Sequence, residues 1–182
     1  MALVVERKKY TLEDYERLPE GSPYQLIGGE LVMSPAPAPE HQRVSIRLAV
    51  KLFNYLMQKA KGEVLYAPID VYLDEENAYQ PDIVVVLEGS KARITQKGIE
   101  GAPDLVVEIL SPSTAYYDLT EKKEVYERSG VKEYWIVDPK RKTFEIYANT
   151  QEGFKLISQA RGKGKVRSEL LDIDLDLAEV FE

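Results

Sequence analysis

Glu108 interrupts a run, Leu105-Val106-Val107-Glu108-Ile109-Leu110, that is otherwise apolar on both of its strand faces. Short length and β-branched content predict a strand here, and a strand apolar on both faces is covered on both. An ionised carboxylate is costly in such a place unless a metal or cation compensates it. A second run, Pro81-Asp82-Ile83-Val84-Val85-Val86, carries Asp82 at its entrance. Side chains alternate along a strand, so Asp82 shares a face with Val84 and Val86, and Glu108 shares one with Val106 and Leu110. For Asp82 alone, a solvent-facing acid at a strand start explains the sequence equally well. For Glu108 an exposed edge strand is the poorer account.

A cation follows on the next amphipathic segment. On a wheel of ~100° per residue with Leu119 at zero, Val125 falls near ~240° and Tyr126 near ~340°. Lys122 falls near ~300°, inside that apolar arc, and Lys123 near ~40°, at its flank. Two readings of Lys122 stay open: a cation serving the two carboxylates, or an ordinary intrahelical pair with Asp118 four residues earlier, worth only ~0.3–0.5 kcal/mol. Lys123 reads as solvated. Two carboxylates and a cation are the minimum for holding a divalent metal beside a phosphodiester and activating water.

The rest of the chain supplies a frame. Thr11-Leu12-Glu13-Asp14 resembles a capping box opening a short helix that Pro19 and Gly21 stop. Tyr24–Ile27, Gly28-Gly29 and Glu30–Met33 read as a hairpin with a tight primed turn. Ser34-Pro35-Ala36-Pro37-Ala38-Pro39 is a stiff extended connector. Val44, Leu48, Leu52, Tyr55 and Leu56 recur at helical spacing, predicting a helix from about Glu40 to Lys61 with Gly62 as its stop. Strand material follows at residues 64–66 and 69–73, then a turn over Asp74 to Tyr79. Glu88 to Pro103 is polar and reads as a loop or short helix. A helix near Tyr116 to Ser129 ends at Gly130, and strands follow at 133–138, 143–147 and 154–157, with a short helix near 176–180. This order predicts an α/β or α+β domain around a mixed sheet, one domain over 1–182.

Composition narrows the function. The chain has 182 residues, 44% hydrophobic and 30% charged, with no cysteine. Disulfides, thiol catalysis and thiolate zinc sites are excluded. No apolar run approaches the ~18 residues of a membrane span. At the N-terminus the charges follow a very short apolar run, the reverse of an export signal, so the cytoplasm is the expected location. A formal net charge of −7 argues against coating nucleic acid through bulk charge, but not against local contact. Lys140-Arg141-Lys142 and Arg161 to Arg167 are the basic clusters, readable as DNA contacts or as solvated turns. His41, the only histidine, reads mainly as a surface residue at a helix start. Glu30 and Glu40 read as exposed, with Glu30 and His41 as auxiliary candidates for the site.

These residues together resemble the bacterial Uma-type putative restriction endonuclease family, a branch of the PD-(D/E)xK nuclease superfamily. The likeness runs from about Tyr24 to Tyr147. It rests on Gly29–Pro35, Pro39-Glu40-His41-Gln42, Pro81-Asp82, Ala102–Thr114, Asp118-Leu119-Thr120-Glu121-Lys122 and Gly130–Pro139. It implies a restriction-endonuclease-like αβββαβ core, here with an N-terminal hairpin and extra C-terminal strands. It also implies Asp82 and Glu108 as the two acids, binding Mg²⁺ or Mn²⁺ with the backbone carbonyl of Ile109. The usual lysine position is Leu110, and the resemblance implies that Lys122 on the next helix replaces it. The family often has aspartate at the position of Gly29 and arginine at that of Gln80. A metal-dependent DNA endonuclease, acting as monomer or homodimer, is the expected function. A non-catalytic nucleic-acid or protein-binding module on the same fold is the alternative, and a glycosidase using Asp82 and Glu108 is a distant third.

Overall fold

The computed structural model describes residues 9–59 and 61–182. The N-terminal segment read above for export lies outside the described residues. Thr11 caps α1 (Leu12–Glu16) by accepting from the Asp14 amide, and Asp14 accepts from the Thr11 amide in return. The hairpin forms as β1 (Tyr24–Ile27) and β2 (Glu30–Met33). Its two-residue turn needs left-handed backbone at both positions, which Gly28 (φ 56) and Gly29 (φ 80) supply. The helical periodicity becomes α2 (Pro39–Lys59), followed by β3 (Gly62–Tyr66) and β4 (Val71–Asp74).

The polar stretch from Asp74 to Tyr79 is more than the expected turn, because it contains β5 (Asn77–Tyr79). Asn77 is buried and works as a hydrogen-bonding hub. Its Nδ2 donates to Asp74 (2.7 Å), and its Oδ1 accepts from the Gly28 amide (3.0 Å) and the Tyr79 hydroxyl (2.7 Å). Polarity there serves the interior, as buried polar groups require. After β6 (Ile83–Leu87), the polar region holds two short strands, β7 (Arg93–Ile94) and β8 (Ile99–Glu100), before β9 (Leu105–Ile109).

The next helix is broken into α3 (Ala115–Leu119) and α4 (Glu121–Ser129). Thr120 sits at the break (φ −122, ψ −95) and donates its hydroxyl to the Tyr116 carbonyl at 2.6 Å, competing with the helical ladder. Leu119, the anchor of the wheel, therefore leaves the buried face and is 47% exposed. The chain continues as β10 (Glu133–Asp138), β11 (Thr143–Thr150) and β12 (Gly153–Arg161). A small pair, β13 (Lys165–Ser168) with β14 (Ile173–Asp176), and α5 (Leu177–Phe181) close the chain.

The central sheet has the order β12-β11-β10-β9-β6-β3. Only β9 and β10 run parallel within it, joined by the crossover through α3 and α4. A second sheet, β2-β1-β5-β4-β8-β7, carries the N-terminal hairpin. One face of the central sheet packs Ile83, Val85, Val107, Ile109, Trp135 and Val137 against Leu48 and Leu52 of α2 and against Val166 and Leu175. The other packs Val84, Val106, Tyr134 and Ile136 against Val125 and Tyr126 of α4. The helix α2, strands β3, β6 and β9, helix α4 and strand β10 follow the expected αβββαβ sequence.

Candidate functional site

Pairing of β6 with β9 places Ile83 opposite Val107, and continuing that antiparallel register brings Asp82 opposite Glu108. Both belong to the face that looks toward α4. Asp82 stands just before β6, with its Oδ2 accepting from the Ile109 amide at 2.7 Å. Its Oδ1 lies 3.2 Å from Nε2 of His41, which the first turn of α2 brings in from the opposite side of the sheet. Glu108 is 3% exposed, near the end of β9.

Lys122 is 2% exposed and sits between two carboxylates. Its Nζ is 2.5 Å from Oε1 of Glu108 and 2.8 Å from Oδ1 of Asp118. The intrahelical pair with Asp118 is present, but it is buried rather than on the surface, and Lys122 also contacts Glu108. Lys123 is not simply solvated: it is half-buried, with its ammonium 3.6 Å from the centroid of the Tyr147 ring. Around the cluster lies an aromatic floor. The Tyr126 hydroxyl donates to Oε1 of Glu108 (2.8 Å), and the Tyr134 hydroxyl donates to the backbone carbonyl of Asp118 (2.7 Å).

Burial sets the electrostatics. It pushes the Glu108 carboxyl up to about 8; the Lys122 charge opposes that rise, while Asp118 and Asp82 add to it. For Lys122, burial acts against the ammonium, but Asp118 and Glu108 outweigh it and hold the group above the ordinary lysine range. His41 follows the same logic: burial lowers it, and the bond to Asp82 outweighs burial and raises it. Its Nδ1 is buried without a hydrogen-bond partner, so donation from Nε2 to Asp82 leaves Nδ1 as a bare acceptor in the neutral tautomer.

These groups line one cavity of about 650 Å³, together with Gln25, Ser34, Gln80, Ser111, Ser113 and Thr114. The Pro-Ala connector forms one rim, through Pro35, Ala36, Pro37 and Ala38. Asp82, Glu108 and Lys122 are brought together as the sequence suggests, and His41 joins them as more than a surface residue. Glu30 does not join. It is exposed at the start of β2, paired with Ile27, and lies outside the cavity lining. Tyr126 and Tyr134 were not anticipated, although Tyr126 lies four residues after Lys122 on the same helical face.

The donor set can be tested against a divalent cation. Among the described residues no group of three or more acidic, histidine or cysteine side chains is arranged to hold a metal ion. Two carboxylates with a backbone carbonyl and water nevertheless form a hard oxygen set of the kind magnesium uses. The Tyr126 hydroxyl and the Lys122 ammonium both meet Oε1 of Glu108. Three acids, Asp82, Glu108 and Asp118, surround one lysine in the cavity wall, so the cluster has room for positive charge. The residues fit.

The chain belongs to the Uma2 family, described as a putative restriction endonuclease, whose model matches residues 12–178. It is 24% identical over 169 residues to the uncharacterized protein sll1609 of Synechocystis sp. (strain ATCC 27184 / PCC 6803 / Kazusa), covering 90% of this chain and 94% of that protein. A second protein of that organism, the uncharacterized slr1290, is 25% identical over 157 residues, with 85% and 80% covered. The crystal structure of a putative nuclease belonging to DUF820, from Anabaena variabilis ATCC 29413, shares the fold with a TM-score of 0.77 at 21% identity. The match covers 94% of this chain and 97% of that one.

Proposed function

We propose that this Uma2-family chain is a metal-dependent phosphodiesterase, acting in the cytoplasm as a DNA endonuclease within a single nuclease-like domain. The observation that carries the reading is the convergence of Asp82, Glu108 and Lys122 in one cavity from three separate elements. Asp82, Glu108 and the Ile109 carbonyl would hold Mg²⁺ or Mn²⁺, which when bound supplies Lewis-acid charge to a phosphate and lowers the pKa of water.

Lys122 keeps its proton in this reading. Held up by Asp118 and Glu108, it acts as a fixed cation that favours the ionised Glu108 and offsets charge developing on the phosphate. A general-base role for it does not fit that environment. Asp118 and the Tyr134 bond to its carbonyl position Lys122. The Ile109 amide and His41 fix the orientation of Asp82. Ser111, Ser113 and Thr114 offer neutral donors at the mouth of the site.

The test is cleavage of supercoiled plasmid and linear duplex DNA with Mg²⁺, Mn²⁺ or EDTA. The parent should cleave only with metal, and Asp82→Asn should not cleave at all. Cleavage in EDTA would fit the glycosidase-like use of the acids no better and would remove the metal. A parent inert with both metals across varied DNA would overturn the catalytic reading in favour of the binding module.

A further inference from the structure

The cavity around Asp82 and Glu108 is poor in positive charge. Lys122 is the only lysine or arginine among its described lining residues, and Glu108 and Asp118 already engage it. A nucleic-acid strand entering there would have to have its flanking phosphates met elsewhere. Backbone pairings lead from the site to where that charge lies. The Ile109 amide binds Asp82, and Ile109 pairs with Val137 near the end of β10. Asp138 pairs with Thr143 across the next turn, and Thr143 pairs with Arg161 at the end of β12. The Gly162 amide then donates to the Lys142 carbonyl at 2.8 Å. One edge of the central sheet therefore carries, in a row, the acidic site, the turn Lys140-Arg141-Lys142, and the loop Arg161-Gly162-Lys163.

All five of these cations are exposed. Arg141 has a loose contact with Asp138 at 3.8 Å. Lys140, Lys142, Arg161 and Lys163 have no ion-pair partner among the described residues, whereas nearby Arg167 is engaged by Asp172 and Asp174. The row makes this end of the sheet locally positive on a chain of net charge −7. Strand spacing of ~4.8 Å puts β12 about 14 Å from β9, which at ~3.4 Å per nucleotide is the reach of about four phosphates. No aromatic side chain stands among Lys140 to Lys142 or Arg161 to Lys163. A single strand is usually gripped by stacking on aromatic platforms, so the row suits the dense phosphate charge of a duplex.

We propose that Lys140, Lys142, Arg161 and Lys163 form the docking edge for the sugar–phosphate backbone of duplex DNA whose scissile phosphate occupies the neighbouring cavity. The inference rests on the nuclease reading for the identity of that cavity.

The experiment measures binding of a labelled duplex DNA in EDTA at several salt concentrations, and cleavage separately with Mn²⁺. Two rim variants, Lys140→Ala/Lys142→Ala and Arg161→Ala/Lys163→Ala, are compared with Lys59→Ala/Lys61→Ala. The last pair removes equal charge at the opposite end of the sheet, where Gly62 pairs with Leu87. Each rim variant should bind about tenfold or more weakly at low salt, with the log–log salt slope reduced by about 2. The control should match the parent. Rim variants that bind like the parent, equal weakening in all three variants, or a parent that does not bind duplex DNA would each overturn the docking edge. Selective weakening in the rim variants without cleavage by the parent would leave the edge standing and sink the nuclease reading instead.

Discussion

Glu108 and Glu133 sit on neighbouring strands, are equally hidden, and face opposite sides of the same sheet. Glu133 is 2% exposed and accepts from Trp135 Nε1 (2.9 Å), the Ser168 hydroxyl (2.7 Å) and the Leu170 amide (2.8 Å). Its donors are all neutral, and they tie the C-terminal β13–β14 unit to the sheet. Glu108 has only the Lys122 ammonium and the Tyr126 hydroxyl, both on one oxygen. One glutamate is satisfied by geometry and is structural. The other depends on a single buried cation and faces a cavity, the arrangement of a group kept ready for a ligand.

The largest expected effect comes from removing that cation. Lys122→Met leaves Glu108 and Asp118 buried without their partner, and breaking a buried pair costs about 3–5 kcal/mol. Urea unfolding followed through the lone buried tryptophan, Trp135, should register a loss of that size together with lost cleavage. A loss below about 1 kcal/mol would mean that Lys122 does not carry the cluster. Glu133→Gln comes next. It puts an amide NH₂ against one of three buried donors, an expected loss of about 1–3 kcal/mol. Cleavage should be unchanged, and an effect on cleavage would blur the contrast between the two faces.

The same substitution at Glu108 should give the opposite pair of readouts. Glu108→Gln keeps its shape and its acceptor for Lys122 and Tyr126 while removing the ionisable carboxyl. Stability should change by less than about 1 kcal/mol, whereas Mn²⁺ binding by calorimetry should disappear. In the parent, burial raises the Glu108 pKa well above the usual carboxylate range, to about 8, so metal binding there competes with a proton. Mn²⁺ affinity should therefore climb as pH rises toward 8 and level off above it, and Glu108→Gln should have no such climb. A pH-independent affinity in the parent between 6 and 8 would remove Glu108 from the ligand set.

The contrast between the two glutamates was half legible in the sequence. Glu108 stands out because six successive residues are otherwise apolar, and its neighbour in register, Asp82, stands out after Pro81. Lys122 could be found by helical phase. Glu133 carries no such flag: it opens a strand like any exposed acid, and its partners Ser168 and Leu170 are more than thirty residues away. Pairings of that span follow from tertiary packing, which local pattern does not encode. The same reason hid β13 and β14. Thr120 hid the helix break, since threonine is ordinary in helices until its hydroxyl turns back on the preceding turn. His41 was underrated because its meeting with Asp82 depends on how α2 crosses the sheet, and neither segment alone specifies that.

Asp104 offers the finest test, because it stands just before β9, four residues ahead of Glu108, at the structural end. Burial pushes its carboxyl up, but the Lys132 ammonium at 2.8 Å and the Leu87 amide at 2.8 Å outweigh burial and hold it below the ordinary aspartate value. Such a group favours the folded state above the unfolded aspartate pKa of ~3.9, and loses that contribution as pH falls through its lower folded value. Lys132 is largely exposed, so solvent screens the pair and its worth is about 0.2–1 kcal/mol. Asp104→Asn should therefore flatten the acid limb of a stability–pH curve slightly below pH 4 and leave Mn²⁺ binding untouched. Glu108 works in the reverse sense: with its pKa raised in the folded chain, its ionisation weakens the fold as pH rises toward 8. Two acids at the two ends of β9 should thus bend the curve in opposite senses, and an acid limb identical in Asp104→Asn and parent would show that the structural end does not differ in this way from the site.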